Sequence, residues 1–552
     1  MSKEDNNKKL ELQTQIPKKE KLKKDLGVEQ VVHMKVAAQI VQHLSKGIYS
    51  NPANCIKELI NNAFDADSSK VIIRAKPEFD TFSITDYGEG MNYLDFDNKF
   101  LFISRSDKRD ASLYTKSGRR PLIGKIGIGF VAVSEICNKM TVISTKEGED
   151  FKFQAEIDFS KFKEIISQKR EFYEISEVKL INLPEDKEVH YTIILLEELS
   201  QDFKELLQDK DIIEAGIKVR SFDGQSFENI VNQVVGQKLN LWKDIAEYWR
   251  LVLGIADIIP VGYLEQGPII VKNEKNKKIF KEQIQDIKEI KDTLDKFDFN
   301  VDFDGVLLKK PILLPTEEDI ALGEGKYDIY TFKEEFSDFG DESKLKFRGY
   351  IYGQNRQILP PQMRGLIVRV KNTSIGDIDP DFWDYPYPEK LFIPWVFAEV
   401  YVEDGLEDAM NVNRNSFTVT HPHYRRLRSY IHNKLHKEVF TKFRSRYIER
   451  REATKLIRDF ERQTKVKEYL KTAFNQDIRI VKTEGMTETP VSLNIKENEI
   501  VINPKHPLLR KLERKGKIKI EDVLIIFEAS CERAQGDLDE MRQLFFESLK
   551  QW

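Results

Sequence analysis

Glu58 and Asn62 stand four residues apart in the stretch ELINNAFD, Glu58 to Asp65. On a helix that spacing puts a carboxylate and an amide on one face, while Leu59, Ile60, Ala63 and Phe64 supply apolar anchorage. The pair suits nucleotide hydrolysis. An amide oxygen can complete the shell of a magnesium ion that otherwise keeps phosphate oxygens and waters, and a carboxylate can take a proton from the attacking water. A solvated helix face carries the same pair without any chemistry.

Further along stands Asp86-Tyr87-Gly88-Glu89-Gly90-Met91. An acid at the end of a strand followed by alternating glycines gives a carboxylate at the rim of a sheet, beside backbone that a flat ring can approach closely. An adenine amino group is one guest for it, and a plain glycine turn is the alternative. A third signal is Gly124-Lys125-Ile126-Gly127-Ile128-Gly129-Phe130. Closely spaced glycines let successive N–H groups face an anion, and a following helix adds its partial positive charge. This is neither a P-loop, because Ile126 follows Lys125, nor the Rossmann glycine order. Close packing of a helix on a sheet would also use these glycines.

These residues need elements to hold them. Val71 to Ile73 and TFSIT (81–85) read as paired strands after the Glu58 helix. Before it, Val32, Val36, Ile40 and Leu44 recur every four residues, which predicts a helix over 31–45. Between Tyr93 and Pro121 a long polar segment containing SRSDKRDAS and SGRRP has the length and charge of an active-site lid.

ELINNAFDA, DYGEGM and GKIGIGF, in this order and spacing, resemble the three nucleotide-binding boxes of the GHKL ATPases, which include gyrase, the ninety-kilodalton heat-shock chaperones, histidine kinases and mismatch-repair ATPases. The likeness is greatest to the chaperones, because YSNPANCIKELINNAFDA and GKIGIGFVAVSEICNKMTVIST follow their pattern beyond the boxes. The resemblance implies ATP and magnesium as cofactors, with Glu58 as general base, Asn62 as magnesium ligand and Asp86 as acceptor of the adenine amino group. It places Gly88, Gly90 and Met91 beside the base, and Gly124, Lys125, Ile126, Gly127, Ile128, Gly129 and Phe130 at the phosphates. Ser106 and Lys108 fall in the lid, which would move over about 96–123. It also implies a threonine near the end of the domain; HYTIILLEE offers Thr192, with Tyr191 where glycine is usual. Histidine kinases lack the hydrolytic glutamate, so Glu58 favours hydrolysis over phosphotransfer. In the second region, GLEDAMNVNRNSF (405–417) resembles the chaperones' middle-domain loop that carries an arginine to the terminal phosphate, which makes Arg414 a candidate arginine finger.

The 552 residues are enough for two to four domains, and 88 Lys plus Arg against 92 Asp plus Glu leave a formal net charge of only -4, which favours no class of partner. Cys55, Cys137 and Cys531 have no metal-ligand spacing, which fits a reducing cytoplasm. No run of about 18 apolar residues could span a bilayer, so no membrane partner is expected. Residues 1–27, with eight Lys against five acids, read as a mobile arm. The strand-like runs FRGYIYG, GLIVRV and FAEVYVED mark a second domain. Between His421 and Lys471, 16 Lys and Arg stand against 6 acids, and Leu427, Ile431, Leu435, Val439, Phe443 and Tyr447 recur every four residues, which predicts a basic amphipathic helix able to meet phosphate backbones.

The expected architecture is α+β. A Bergerat-type sandwich ATPase domain (28–205) follows the arm, then an α/β transducer domain (206–420) and a mainly helical C-terminal region (421–552). The expected function is a homodimeric ATP-driven clamp that remodels a protein client. The alternatives are a nucleic-acid clamp of the mismatch-repair or Microrchidia type and an ATPase component of a signalling or antiviral defence system.

Overall fold

The computed structural model of the chain describes residues 24–37, 51–101, 114–123, 129–160, 172–208, 227–236, 245–312 and 327–449 with short breaks in the last two, and parts of 452–551. The chain forms two compact units, Met1–Phe440 and Thr441–Trp552.

The first unit is built on a nine-stranded sheet. Its strands are β1 (Glu29–Ala37), β2 (Lys70–Lys76), β3 (Thr81–Asp86), β4 (Cys137–Thr145), β5 (Phe151–Asp158), β6 (Phe172–Pro184), β7 (Tyr191–Leu199), β8 (Asn300–Phe303) and β9 (Val306–Leu307). They lie in the order β1-β6-β5-β4-β7-β3-β2-β8-β9. β3, β5 and β7 alternate buried and half-buried residues, as in TFSITD and FKFQAEID, so one face is committed to the core. Helix α1 (Pro52–Asp65) contributes Ile56, Leu59, Ile60 and Phe64 to that core. β8 lies parallel to β2, with Asn300 opposite Lys70, so strands of this sheet come from both sides of residue 206.

Residues 29–37 are strand, not the expected helix. β1 pairs antiparallel with β6, Val32 opposite Val178. A spacing of four is a multiple of the strand period as well as close to a helical turn, so Val32 and Val36 fit either reading. The β-branched run QVVHMKV and an available sheet edge favour the strand. Residues 38–50 lie outside the described residues.

Helix α2 (Glu247–Ile258) presents Trp249, Val252, Ile255 and Ala256 to the same core. Helix α3 (Lys281–Asp295) buries only Ile287, Ile290 and Leu294, in keeping with its charged, solvated face. A second, mixed sheet follows: β10 (Tyr327–Phe336), β11 (Leu345–Gln354), β12 (Gly365–Val370), β13 (Thr373–Ser374) and β14 (Val396–Asp404), ordered β10-β11-β14-β12-β13. All six residues of β12, GLIVRV, are buried, because it is parallel to β14 inside the sheet and covered on both faces. The basic segment begins as helix α4 (Pro422–Lys434), continues helically to residue 449, and buries Leu427, Ile431, Leu435, Val439 and Phe443; Tyr447 is exposed. In the second unit the described residues include a three-stranded sheet of β15 (Arg479–Lys482), β17 (Glu499–Ile502) and β16 (Val491–Asn494), together with helices α5 (Pro507–Arg514) and α6 (Leu538–Gln551).

Candidate functional site

Helix α1 starts cleanly. Asn51 accepts the Ala53 N–H on its side-chain oxygen at 2.9 Å, and Pro52, which has no N–H to leave unpaired, occupies the first turn. Every residue from Ala53 to Phe64 is buried except Asn62. Glu58 is 7% exposed, and its Oε1 is a buried oxygen with no hydrogen-bond partner among the described residues. Such an orphan costs free energy unless something occupies it, and an attacking water is the occupant a general base requires. One turn later Asn62 faces outward, where a hydrated cation can reach it.

Asp86 closes β3 and is also buried, at 8% exposure. Burial pushes its carboxyl up to about 6; the Gly88 N–H, 2.9 Å from Oδ1, and His190 work in the opposite direction. Opposite Asp86 in the ladder stands Thr192, whose Oγ1 is 2.9 Å from Ser144 Oγ. Ser144 in turn accepts the Met91 N–H at 2.9 Å and donates to the Tyr191 carbonyl at 2.8 Å. Met91, Ser144, Tyr191 and Thr192 are thus hydrogen-bonded together at the strand ends, with Asp86 facing Thr192 across the ladder. The glycines beside it have a packing reason of their own. A Cβ on Gly90, at φ +65°, would lie 1.8 Å from the Thr145 carbonyl oxygen, and one on Gly88 would lie 2.5 Å from that of Ala66. The glycine spacing that marks this box therefore serves the protein's own turn as well as any ring placed against it.

Gly129 opens a short 3-10 helix, Gly129–Glu135, and Phe130 follows it. Gly124, Lys125, Ile126, Gly127 and Ile128 lie outside the described residues, as do Ser106 and Lys108.

Arg414 sits in the loop after β14 in a left-handed conformation, φ 52°, and is buried. Its N–H donates to the Asn411 carbonyl at 2.9 Å, and its carbonyl accepts the Gly376 N–H at 3.2 Å. It shares a small cavity with Ile123, Lys371, Thr373 and Glu407. Its charge is felt at Lys57, the residue before Glu58. Burial draws the Lys57 ammonium below its ordinary range, Glu58 opposes that, and Arg414 adds to it. Lys57 donates to the Ser374 carbonyl of β13 at 3.4 Å, and Thr373 donates to Asn61 at 3.4 Å. The second sheet therefore lies directly on the helix that carries Glu58.

Sequence reasoning passed over Lys57, Ser144 and His190. Lys57 adjoins a singled-out residue, yet nothing local announces that its ammonium is buried under a strand more than 300 residues away. Ser144 and Thr192 are separated by 48 residues and meet only through the register of β4 and β7.

The residues present fit a magnesium nucleotide. Glu58, buried with an oxygen unpartnered among the described residues, and exposed Asn62 would supply a base and a cation ligand from one helix, and buried Asp86 would supply a dry acceptor for an amino group. Residues 49–188 match the family model described as histidine kinase-, DNA gyrase B-, and HSP90-like ATPase. A stretch of 108 residues is 41% identical to the protein named "Putative type II restriction enzyme HgiDII" of Herpetosiphon aurantiacus, covering 20% of this chain and 17% of that one. Chaperone protein HtpG of Sulfurovum sp. is 28% identical over 190 residues, 31% of this chain and 28% of that one. HtpG of Sulfurimonas denitrificans is 32% identical over 132 residues, 20% and 21% of the two chains. The chain thus spans less than a third of the length of each of these relatives. The α+β fold, the match over 49–188 and the likeness to HtpG together identify this part of the chain as a GHKL ATPase domain of the histidine kinase, DNA gyrase B and HSP90-like family.

Proposed function

We propose that the chain is an ATP-binding and ATP-hydrolysing conformational clamp. The observation that carries this reading is the buried carboxylate oxygen of Glu58, unpartnered among the described residues, one turn before exposed Asn62. Glu58 orients and deprotonates the attacking water. Asn62 holds magnesium, which supplies charge neutralisation at the phosphates. Asp86, ionised, accepts the adenine amino group, with Thr192 and Ser144 beside it. Arg414 reaches the terminal phosphate from the second sheet. The glycine run 124–129 and the lid residues Ser106 and Lys108 complete the nucleotide contacts.

The clamp works as a cytoplasmic homodimer on a protein client, in keeping with the similarity to HtpG. The arm (1–27), nucleotide domain (28–205), transducer (206–420) and C-terminal region (421–552) are its working parts. A nucleic-acid clamp is the second reading. It is favoured by the basic segment 421–471 and by the similarity to a protein whose printed name is that of a restriction enzyme. Among the described residues, no helix is long and apolar enough to cross a membrane. The deciding experiment is ATP turnover with and without DNA, RNA and an unfolded protein, with Glu58→Ala as blank. Stimulation by unfolded protein supports the client reading, and stimulation by DNA or RNA that fades with salt supports the second. Turnover in the wild type no higher than in the blank overturns both.

A further inference from the structure

Arg120 is the second arginine of the sequence SGRRP and is 1% exposed, although it belongs to a polar segment. Its guanidinium enters a cage of main-chain carbonyls. Nε donates to the Phe297 carbonyl at 2.8 Å, Nη1 to those of Ser68 at 2.8 Å and Phe64 at 3.3 Å, and Nη2 to that of Asp298 at 3.0 Å. The rings of Phe64 and Phe299 cover it, with centroids at 5.0 and 5.4 Å. Phe64 and Ser68 belong to the C-terminal end of α1 and the turn beyond it. There the exposed carbonyls carry the negative end of the helix dipole, and a fixed cation is favourable. Only a planar fork with several donors can serve four carbonyls in different directions; a single ammonium cannot.

Two more contacts join the same parts. Ser117 donates through its backbone N–H and its hydroxyl to Asp67, both at 2.8 Å, and the Ile123 N–H donates to Asp65 Oδ1 at 2.7 Å. The turn that carries Arg120 is closed by the Thr115 N–H to the Arg120 carbonyl at 2.8 Å. Three separate pieces of chain meet at one guanidinium: the returning segment 114–123, the end of α1, and the 297–298 turn between α3 and β8.

The last turn of α1 is also where Asn62 is held, because its carbonyl accepts the Ala66 N–H at 3.0 Å. We propose that Arg120 is a positioning residue for the nucleotide site. By holding the α1 terminus against the 297–298 turn it fixes where Asn62 presents its amide, and it ties that placement to the strand that β8 adds to the sheet. This rests on the reading of Asn62 as the magnesium ligand.

The test compares Arg120→Met, Arg120→Lys and the peripheral variant Ser117→Ala as full-length chains, at a temperature where circular dichroism finds each folded. In Arg120→Met, the magnesium concentration for half-maximal ATP turnover is expected to rise about 10-fold or more, as for loss of a group that orients a metal ligand. Arg120→Lys should recover little of this, and calorimetric binding of adenosine, which needs only the Asp86 side, should hold within about 2-fold. A role confined to stability would lower the melting temperature and leave the magnesium dependence alone. Folded Arg120→Met with wild-type magnesium dependence overturns the proposal. If that variant does not fold, wild-type magnesium dependence in folded Arg120→Lys overturns it. Failure of the ATPase reading is distinct, since the wild type itself would then show no turnover. In that case amide exchange over residues 62–68 decides: faster exchange in Arg120→Lys supports the anchoring, and unchanged exchange overturns it.

Discussion

A carboxylate with an unpartnered oxygen inside a protein is unfavourable, and among the described residues Glu58, at the centre of α1, is such a group. On the proposed reading, Glu58→Ala removes the base and leaves the adenine side intact. ATP binding by calorimetry should persist while turnover drops by a factor of about 10²–10⁴; near-normal turnover would show the base to be elsewhere. Asp86 allows a pH prediction. Burial lifts its carboxyl from 3.8 to about 6, so between those values the folded protein keeps a proton that the unfolded chain has lost. The stabilising contribution is full below about pH 4 and is lost as pH rises through about 6, roughly 3 kcal/mol in all. An amino donor prefers the ionised form. Nucleotide affinity should therefore fall on acidification below about 6, while Asp86→Asn should bind at least about 10-fold more weakly and without that pH dependence. Equal titrations of affinity in the two proteins would remove Asp86 from the site. His190, whose Nδ1 lies 2.5 Å from the Gly88 carbonyl oxygen, is the titratable neighbour to control for.

The elements that carry these residues differ in how openly they declare themselves. α1, β3 and the strands of the second sheet were legible because their periodicity is local: TFSITD alternates, and GLIVRV is apolar throughout. β1 was not, since four-residue spacing satisfies a strand as well as a helix and the partner that decides, β6, starts more than 130 residues away. β8 is only four residues long and joins the sheet parallel to β2, where Asp304 accepts the Ala75 N–H at 2.9 Å and Arg74 pairs with Asp302 at 2.5 Å. The turn after β3 offers a test at this scale. Gly90→Ala must tolerate a left-handed backbone and a Cβ against the Thr145 carbonyl, a cost of at least about 2 kcal/mol. The denaturation midpoint should drop accordingly; an unchanged midpoint would mean that the turn relaxes freely.

Across the molecule, the first unit is joined by a buried ionic cluster that has no counterpart in the sequence reading. Arg369 of β12 donates to Glu399 of β14, and reaches the Asp257 carbonyl at the end of α2 at 2.6 Å. Tyr263, Tyr350 and Tyr401 all donate to the same carboxylate, and Lys310 donates to the Ile259 carbonyl at 2.7 Å. Burial works against the Glu399 carboxylate, but Arg369 and Lys310 reverse this and hold it below its ordinary range. Removing one partner leaves the other charge buried and unpaired, so Glu399→Leu or Arg369→Met alone should cost about 3–5 kcal/mol in denaturant unfolding. The double variant should cost clearly less than the sum, and simple additivity would show that the two charges do not act as a pair. Because α2 packs on α1, this cluster joins the second sheet to the helix of Glu58.

The sequence by itself determined which residues are candidates for the chemistry. Glu58, Asn62, Asp86, Gly88 and Gly90 are specified by requirements that act within a few residues: a shared helix face, a strand end, a turn that no side chain fits. For the same reason the ATPase boxes could be read without coordinates. The tertiary structure alone decided what surrounds them: that β1 is a strand, that β8 returns to the nucleotide sheet, that Lys57 lies beneath β13, and that Arg120 is buried in carbonyls rather than solvated. Each of these depends on a partner tens to hundreds of residues distant, and contacts at that range are set by register and packing, which leave no spacing in the chain to read.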